Sequence, residues 1–83
     1  MNLKTLASST GIRINQLLEK HKMTRYKLGK ESGLNDSTLR YLIYGGTKDV
    51  WLSSIAKVAK VFGMTLEEFF ADRVFDLNNI DFD

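Results

Sequence analysis

The fold is decided by one stretch of the chain, residues 23–43, which reads MTRYKLGKESGLNDSTLRYLI. Thr24 is a preferred N-cap residue, and Gly33 can adopt the left-handed conformation that ends a helix, so a short helix is predicted between these two caps. Asn35 is another preferred cap, which predicts that the next helix begins at Asp36. Two short helices joined by a tight turn that contains glycine are typical of a helix-turn-helix, whose second helix can enter a groove of DNA.

Helices are also predicted on both sides of this stretch. Upstream, apolar residues recur at the spacing of one helical face, which predicts a first helix over about residues 11–22. Downstream, the same spacing predicts a fourth helix over residues 52–62. Thr65 and Glu68 then have the spacing of a capping box, which predicts a short fifth helix. Residues 73–83 have no clear helical or strand period, so their conformation stays open.

Two segments of the helix-turn-helix resemble a known family. Residues 23–29 (MTRYKLG) and 33–39 (GLNDSTL), followed by Gly45, resemble the phage repressor and Cro type of helix-turn-helix, the xenobiotic-response-element class of bacterial regulators. The resemblance extends through residues 52–70. It implies an all-α fold, a compact five-helix lambda-repressor-like DNA-binding domain in which helices 2 and 3 form the helix-turn-helix.

The chain departs from the family pattern at several positions. Gly29 stands where family members commonly carry alanine. Leu18 and Ile43 match positions where some phage repressors have a buried arginine–glutamate pair, so an apolar contact is expected here. Val50 and Trp51 replace a frequent proline and a Ser or Thr cap, which leaves the start of helix 4 open.

The resemblance implies that the outward face of helix 3 reads base edges in the major groove. Arg40 can donate two hydrogen bonds to guanine, Ser37 can donate or accept, and Tyr41 can contact a thymine methyl group or a phosphate. Asp36 can accept a hydrogen bond from cytosine N4, although its carboxylate is otherwise repelled by phosphates. Its alternative role, stabilising the positive end of helix 3, stays open. The expected base contacts are Asp36, Ser37, Arg40 and Tyr41.

Phosphate contacts are expected at the start of helix 2 and in the loop after helix 3. Arg25 would occupy the first position of helix 2, where free backbone N–H groups and the helix dipole favour an anion. The loop after helix 3 resembles the family's second phosphate contact, and its glycines let backbone N–H groups approach an oxygen. The expected phosphate contacts are Thr24, Arg25, Asn35, Tyr44, Thr47 and Lys48.

Charge is unevenly distributed along the 83 residues. The net charge is +2, but residues 1–60 carry eleven Lys or Arg against four acidic residues, a balance of +7. Residues 61–83 carry one arginine against six acidic residues, a balance of −5. A basic body of this kind can attract a polyanion.

Composition excludes several classes of function. Without cysteine there are no disulfides, thiolate metal sites or cysteine nucleophiles, and a cytoplasmic location is expected. The only histidine, His21, lies on the apolar face of helix 1 and is expected to be half-buried. We expect no enzyme, no catalytic residue, no metal site, no cofactor and no small-molecule ligand. Residues 1–10 do not resemble a signal peptide, and no apolar run approaches the roughly 18 residues of a membrane span.

The chain is expected to divide into a lead-in, residues 1–10, the helix-turn-helix domain, residues 11–72, and an acidic apolar tail, residues 73–83. One recognition helix covers only a few base pairs, so a two-fold homodimer on DNA is expected. The alternative, that the apolar groups of the C-terminal region fold back over helices 1 and 4 of the same chain, stays open. The expected dimer-interface residues are Leu66, Phe69, Phe70, Val74 and Phe75.

Two functions from different classes are compatible with these features. The principal hypothesis is a sequence-specific double-stranded DNA-binding transcriptional regulator, most simply a repressor. The alternative is a protein-interaction module, such as an antitoxin or regulatory adaptor, that engages a protein through its C-terminal region. The operator, the regulated gene and the direction of regulation are left open.

Overall fold

A computed structural model describes residues 5–44 and 49–82 of the chain. It confirms the all-α prediction with five helices. These are α1 (Leu6–Lys20), α2 (Arg25–Ser32), α3 (Asp36–Tyr44), α4 (Leu52–Val61) and α5 (Leu66–Phe70), followed by two 3-10 helices, Arg73–Phe75 and Leu77–Asn79.

The predicted caps of α2 and α3 are confirmed. Thr24 Oγ1 accepts a hydrogen bond from the backbone N–H of Lys27 at 3.1 Å, and Gly33 ends α2 with a φ of 78°. Asn35 Oδ1 accepts from the backbone N–H of Thr38 at 2.8 Å and so begins α3. Because these bonds satisfy N–H groups that have no partner inside the helix, they set where each helix starts.

The predicted start of helix 1 was wrong. The helix α1 begins at Leu6, where the side chain of Thr5 accepts from the backbone N–H of Ser8 at 3.0 Å. Gly11 is buried inside this helix, and a Cβ built on it would collide with the carbonyl oxygen of Ile43, at the end of α3. The missing side chain therefore permits a close approach of α1 to α3, and residues 6–10 belong to the helix.

The core lies between the inward faces of the five helices. It holds α3 against α1, and α2 against both α3 and α4, so the helix-turn-helix is supported from behind. The helix α4 begins after Trp51, which makes no side-chain capping hydrogen bond and is 80% exposed. The buried apolar cluster is Ile14, Leu17, Leu28, Leu39, Leu42, Ile43, Ile55, Val58, Ala59 and Phe69.

The predicted half-burial of His21 was wrong. His21 is the C-cap of α1, because the helix ends at Lys20, short of the predicted end at residue 22. The residue is exposed, and its ring lies 4.9 Å from the ring of Phe62, measured between centroids.

The C-terminal segment packs onto its own chain. Arg13 of α1 donates from Nε to the carbonyl oxygen of Phe69 at 2.7 Å and from Nη2 to that of Glu68 at 3.1 Å. Its Nη1 lies 3.6 Å from Asp72 Oδ2, and its side chain is only 14% exposed. The first 3-10 helix contacts α1, and Val74 is buried. One arginine thus joins α1 to the end of α5, as the fold-back alternative required.

This packing covers the residues expected at a dimer interface to different extents. Phe69 is fully buried and Val74 is nearly so within the single chain. Leu66, Phe70 and Phe75 are half-buried against the core and remain accessible in part. Across residues 5–44 and 49–82, no helix is long and apolar enough to cross a membrane.

Candidate nucleic-acid interface

The outward face of α3 is built by the opposite, buried stripe of the same helix. Leu39, Leu42 and Ile43 enter the core and fix the rotation of α3 about its axis. Because of the helical period, the residues at the other positions must then face away from the core. The exposed residues of this face are Asp36, Ser37, Arg40, Tyr41 and Tyr44.

Four of these outward residues form a continuous patch. Ser37, Arg40, Tyr41 and Tyr44 line an open depression of about 330 Å³ on the surface of α3. The patch offers a guanidinium fork and three hydroxyl groups, which can donate to or accept from base edges, together with two aromatic rings. Its chemistry therefore suits the edges of base pairs.

Arg25, at the first position of α2, reaches across to this face. Its Nε lies 3.2 Å from Asp36 Oδ1, and its Nη1 donates to the hydroxyl of Tyr44 at 3.1 Å. Asp36 Oδ2 in turn lies 2.8 Å from Arg40 Nε, one helical turn further along α3. The Asp36 carboxylate therefore bridges Arg25, which is expected to contact a phosphate, and Arg40, which is expected to contact a base.

The spacing in the sequence could have indicated only half of this network. Asp36 and Arg40 are four residues apart on one helix, the spacing at which opposite charges pair. The contact of Arg25 with Asp36 depends on the angle between α2 and α3, and no local pattern reports that angle. The bridging role of Asp36 was accordingly missed.

The other expected phosphate contacts lie at the two helix starts or outside the described residues. Thr24 and Asn35 are exposed, and each uses a side-chain oxygen to cap its helix. The Thr24 hydroxyl proton and the Asn35 amide N–H groups remain chemically suited to a phosphate. Thr47 and Lys48 lie outside the described residues. Within the described ranges, no group of three or more His, Asp or Glu residues is placed to hold a metal ion.

A family model and a solved structure both match this chain. Residues 13–73 match the family model of the Cro/C1-type HTH DNA-binding domain, which is most of the chain. The structure is similar to the crystal structure of the prophage Lp1 protein 11, with a TM-score of 0.80 and 23% sequence identity. That match covers 89% of this chain and 97% of the other, and at this identity it shows the fold. No curated protein matches the chain.

Proposed function

The chain belongs to the Cro/C1-type helix-turn-helix DNA-binding family, and from this premise we propose that it is a sequence-specific transcriptional regulator, most simply a repressor. In this proposal α3 lies in the major groove of double-stranded DNA. The supporting observation is the exposed face of α3, where Ser37, Arg40, Tyr41 and Tyr44 form one polar and aromatic patch.

The proposed division of labour follows from where each side chain lies. Arg40 and Ser37 are on the outward face of α3 and read base edges, with Arg40 donating two hydrogen bonds to a guanine. Arg25 stands at the start of α2, where backbone N–H groups already favour an anion, and it contacts a phosphate. Base contacts give sequence preference, whereas phosphate contacts position the protein on any duplex.

We also propose that the protein binds DNA as a two-fold homodimer. Two copies of α3 about 34 Å apart would reach successive major grooves on one face of the duplex. The accessible edges of Leu66, Phe70 and Phe75 are the proposed contact between the copies, since Phe69 and Val74 are already buried. Sedimentation of the free protein and of its DNA complex measures the number of copies directly.

Selection of bound sequences from a pool of random duplex DNA tests the function. The proposal predicts one enriched motif with two related half-sites spaced by about one helical turn. Arg40→Ala should lose about 1–3 kcal/mol on that motif and relax the preference at one base pair. Arg25→Ala should weaken binding to all sequences alike. An Arg40→Ala variant that selected the same motif with the same stringency would contradict the proposed reading face.

A further inference from the structure

Asp36 is the acidic residue in the middle of the proposed DNA-binding face. We infer that it reads no base and instead serves as a positioning residue, which holds Arg25 and Arg40 and restrains their binding to phosphates on non-operator DNA. This inference rests on the proposed function and adds to it a source of sequence discrimination.

The geometry divides the two carboxylate oxygens between the two arginines. Oδ1 lies 3.2 Å from Arg25 Nε, and Oδ2 lies 2.8 Å from Arg40 Nε. Because Arg40 is held through Nε, its two terminal nitrogens remain as the fork that fits guanine O6 and N7. Asp36 can therefore keep Arg40 in place while Arg40 binds a base.

Direct reading of cytosine by Asp36 is less favourable than this arrangement. The cytosine N4 amino group is a neutral donor, whereas both arginines are charged donors. The Asp36 carboxylate can accept a hydrogen bond from either kind of donor, but only the arginines add the attraction of an opposite full charge. A base that drew the carboxylate away would also leave Arg25 and Arg40 without this partner, so the ion pairs compete effectively against the base.

The carboxylate has a different effect on DNA of the wrong sequence. There no guanine is available to Arg40, so its terminal nitrogens can bind only a phosphate. A phosphate held by Arg40 or Arg25 lies close to the Asp36 carboxylate, and the two negative charges repel each other. The pairs are solvent-exposed, since the Asp36 side chain is 58% exposed, and each is correspondingly weak. Asp36 therefore weakens binding to non-operator DNA more than binding to the operator. The ratio of operator affinity to non-operator affinity rises as a result.

The test compares Asp36→Asn with Glu31→Gln, each of which removes one negative charge and keeps the side-chain shape. Glu31 pairs with Lys27 on α2 at 3.9 Å and is 54% exposed, so it is a matched control outside the α3 face. Dissociation constants are measured at two salt concentrations on a fixed non-operator duplex and on the selected motif. Both variants are measured beside the wild-type chain.

We expect Asp36→Asn to bind the non-operator duplex about three- to tenfold more tightly, the effect of losing two exposed ion pairs. The slope of log affinity against log salt should become steeper by up to about 0.9, the value for one added phosphate contact. Affinity for the selected motif should rise less, so the specificity ratio falls. Glu31→Gln should change both affinities by the same small factor. In a chain that already carries Arg25→Ala and Arg40→Ala, Asp36→Asn should change the non-operator affinity by no more than Glu31→Gln does.

Three outcomes would overturn the inference in distinguishable ways. Equal effects of Asp36→Asn and Glu31→Gln would show that only overall charge matters. Weaker binding to the motif, with lost preference at one base pair and an unchanged non-operator affinity, would make Asp36 a base reader. A wild-type chain that binds neither duplex in a salt-dependent manner would remove the proposed function itself, and the inference with it.

Discussion

Replacing Gly11 by alanine should destabilise the protein, although alanine is the better helix former. The new Cβ would lie 2.8 Å from the carbonyl carbon of Ile43 and 3.0 Å from the carbonyl oxygen of Leu42. Ordinary contact begins at 3.4 Å, so relieving the contact with the carbonyl carbon alone requires α1 and the end of α3 to separate by 0.6 Å, the difference between 3.4 and 2.8 Å. The carbonyl oxygen of Ile43 is closer still and requires a larger separation. Both neighbours are backbone atoms, which cannot rotate out of the way as a side chain can.

The size of the effect follows from two opposing terms. Overpacking costs about 1–3 kcal/mol, and the gain in helix propensity returns about 0.5–1 kcal/mol. We expect a net loss of about 1–2 kcal/mol of unfolding free energy. At roughly 4–8 °C per kcal/mol for a domain of this size, the melting temperature should fall by about 5–15 °C. Thermal denaturation followed by circular dichroism measures it.

Gly29→Ala is the matched control, because it makes the same change in another helix. There the new Cβ would lie 3.1 Å from Leu39 Cδ1, the movable end of a side chain, and 3.4 Å from the Leu34 carbonyl oxygen. We expect the melting temperature to stay within about 4 °C of the wild-type value or to rise, since helix propensity offsets a shift of the leucine. A Gly11→Ala protein as stable as wild type would refute the close approach of α1 and α3.

Three further substitutions test the capping contacts. Arg13→Met keeps a long side chain but leaves the carbonyl groups of Phe69 and Glu68 without their donor. It should lower the unfolding free energy measured by urea denaturation by about 1–3 kcal/mol. An unchanged denaturation midpoint would contradict the link between α1 and α5. The pKa of the Glu68 carboxyl lies below its usual value because the backbone N–H and then the hydroxyl of Thr65 donate to it. The stability that this carboxylate contributes is therefore fully present above its pKa in the unfolded chain, about 4.3, and is lost as pH falls through its lower pKa in the folded chain. Glu68→Gln should therefore make the melting temperature fall less steeply at acidic pH. Asn35→Ala removes the α3 cap and should cost about 1 kcal/mol, measured in the same urea assay; a stability equal to wild type would show that the cap is dispensable.

The parts of the fold that could be predicted are those with a local signal. Thr24, Asn35 and Thr65 each cap a helix through a bond to a residue three positions along the chain, so their spacing alone marks the helix starts. The aspartates before the two 3-10 helices are equally local: Asp72 and Asp76 each accept a backbone N–H two residues on. Asp72 and Asp76 therefore gave a local signal for these turns, although residues 73–83 have no helical or strand period.

The parts that could not be predicted depend on contacts between distant residues. Gly11 resembles a helix boundary in the sequence because its use, close contact with Ile43, involves a helix more than thirty positions away. Arg13 meets Phe69 across 56 positions, and no pattern in either segment reports the other. On the candidate site, the buried stripe of α3 correctly indicated which residues face outward, but the link from Arg25 to Asp36 required the packed arrangement of both helices.

Binding of the selected motif and of a shuffled duplex of the same composition, compared over a range of salt concentrations, tests the central claim most directly. Sequence-specific recognition predicts that the motif binds at least about a thousandfold more tightly than the shuffled duplex at physiological salt. It also predicts that both affinities fall steeply as salt rises, because Arg25 and other basic residues release counterions from phosphates. Equal, weak and salt-insensitive binding to both duplexes would contradict this claim and would favour the protein-interaction module instead.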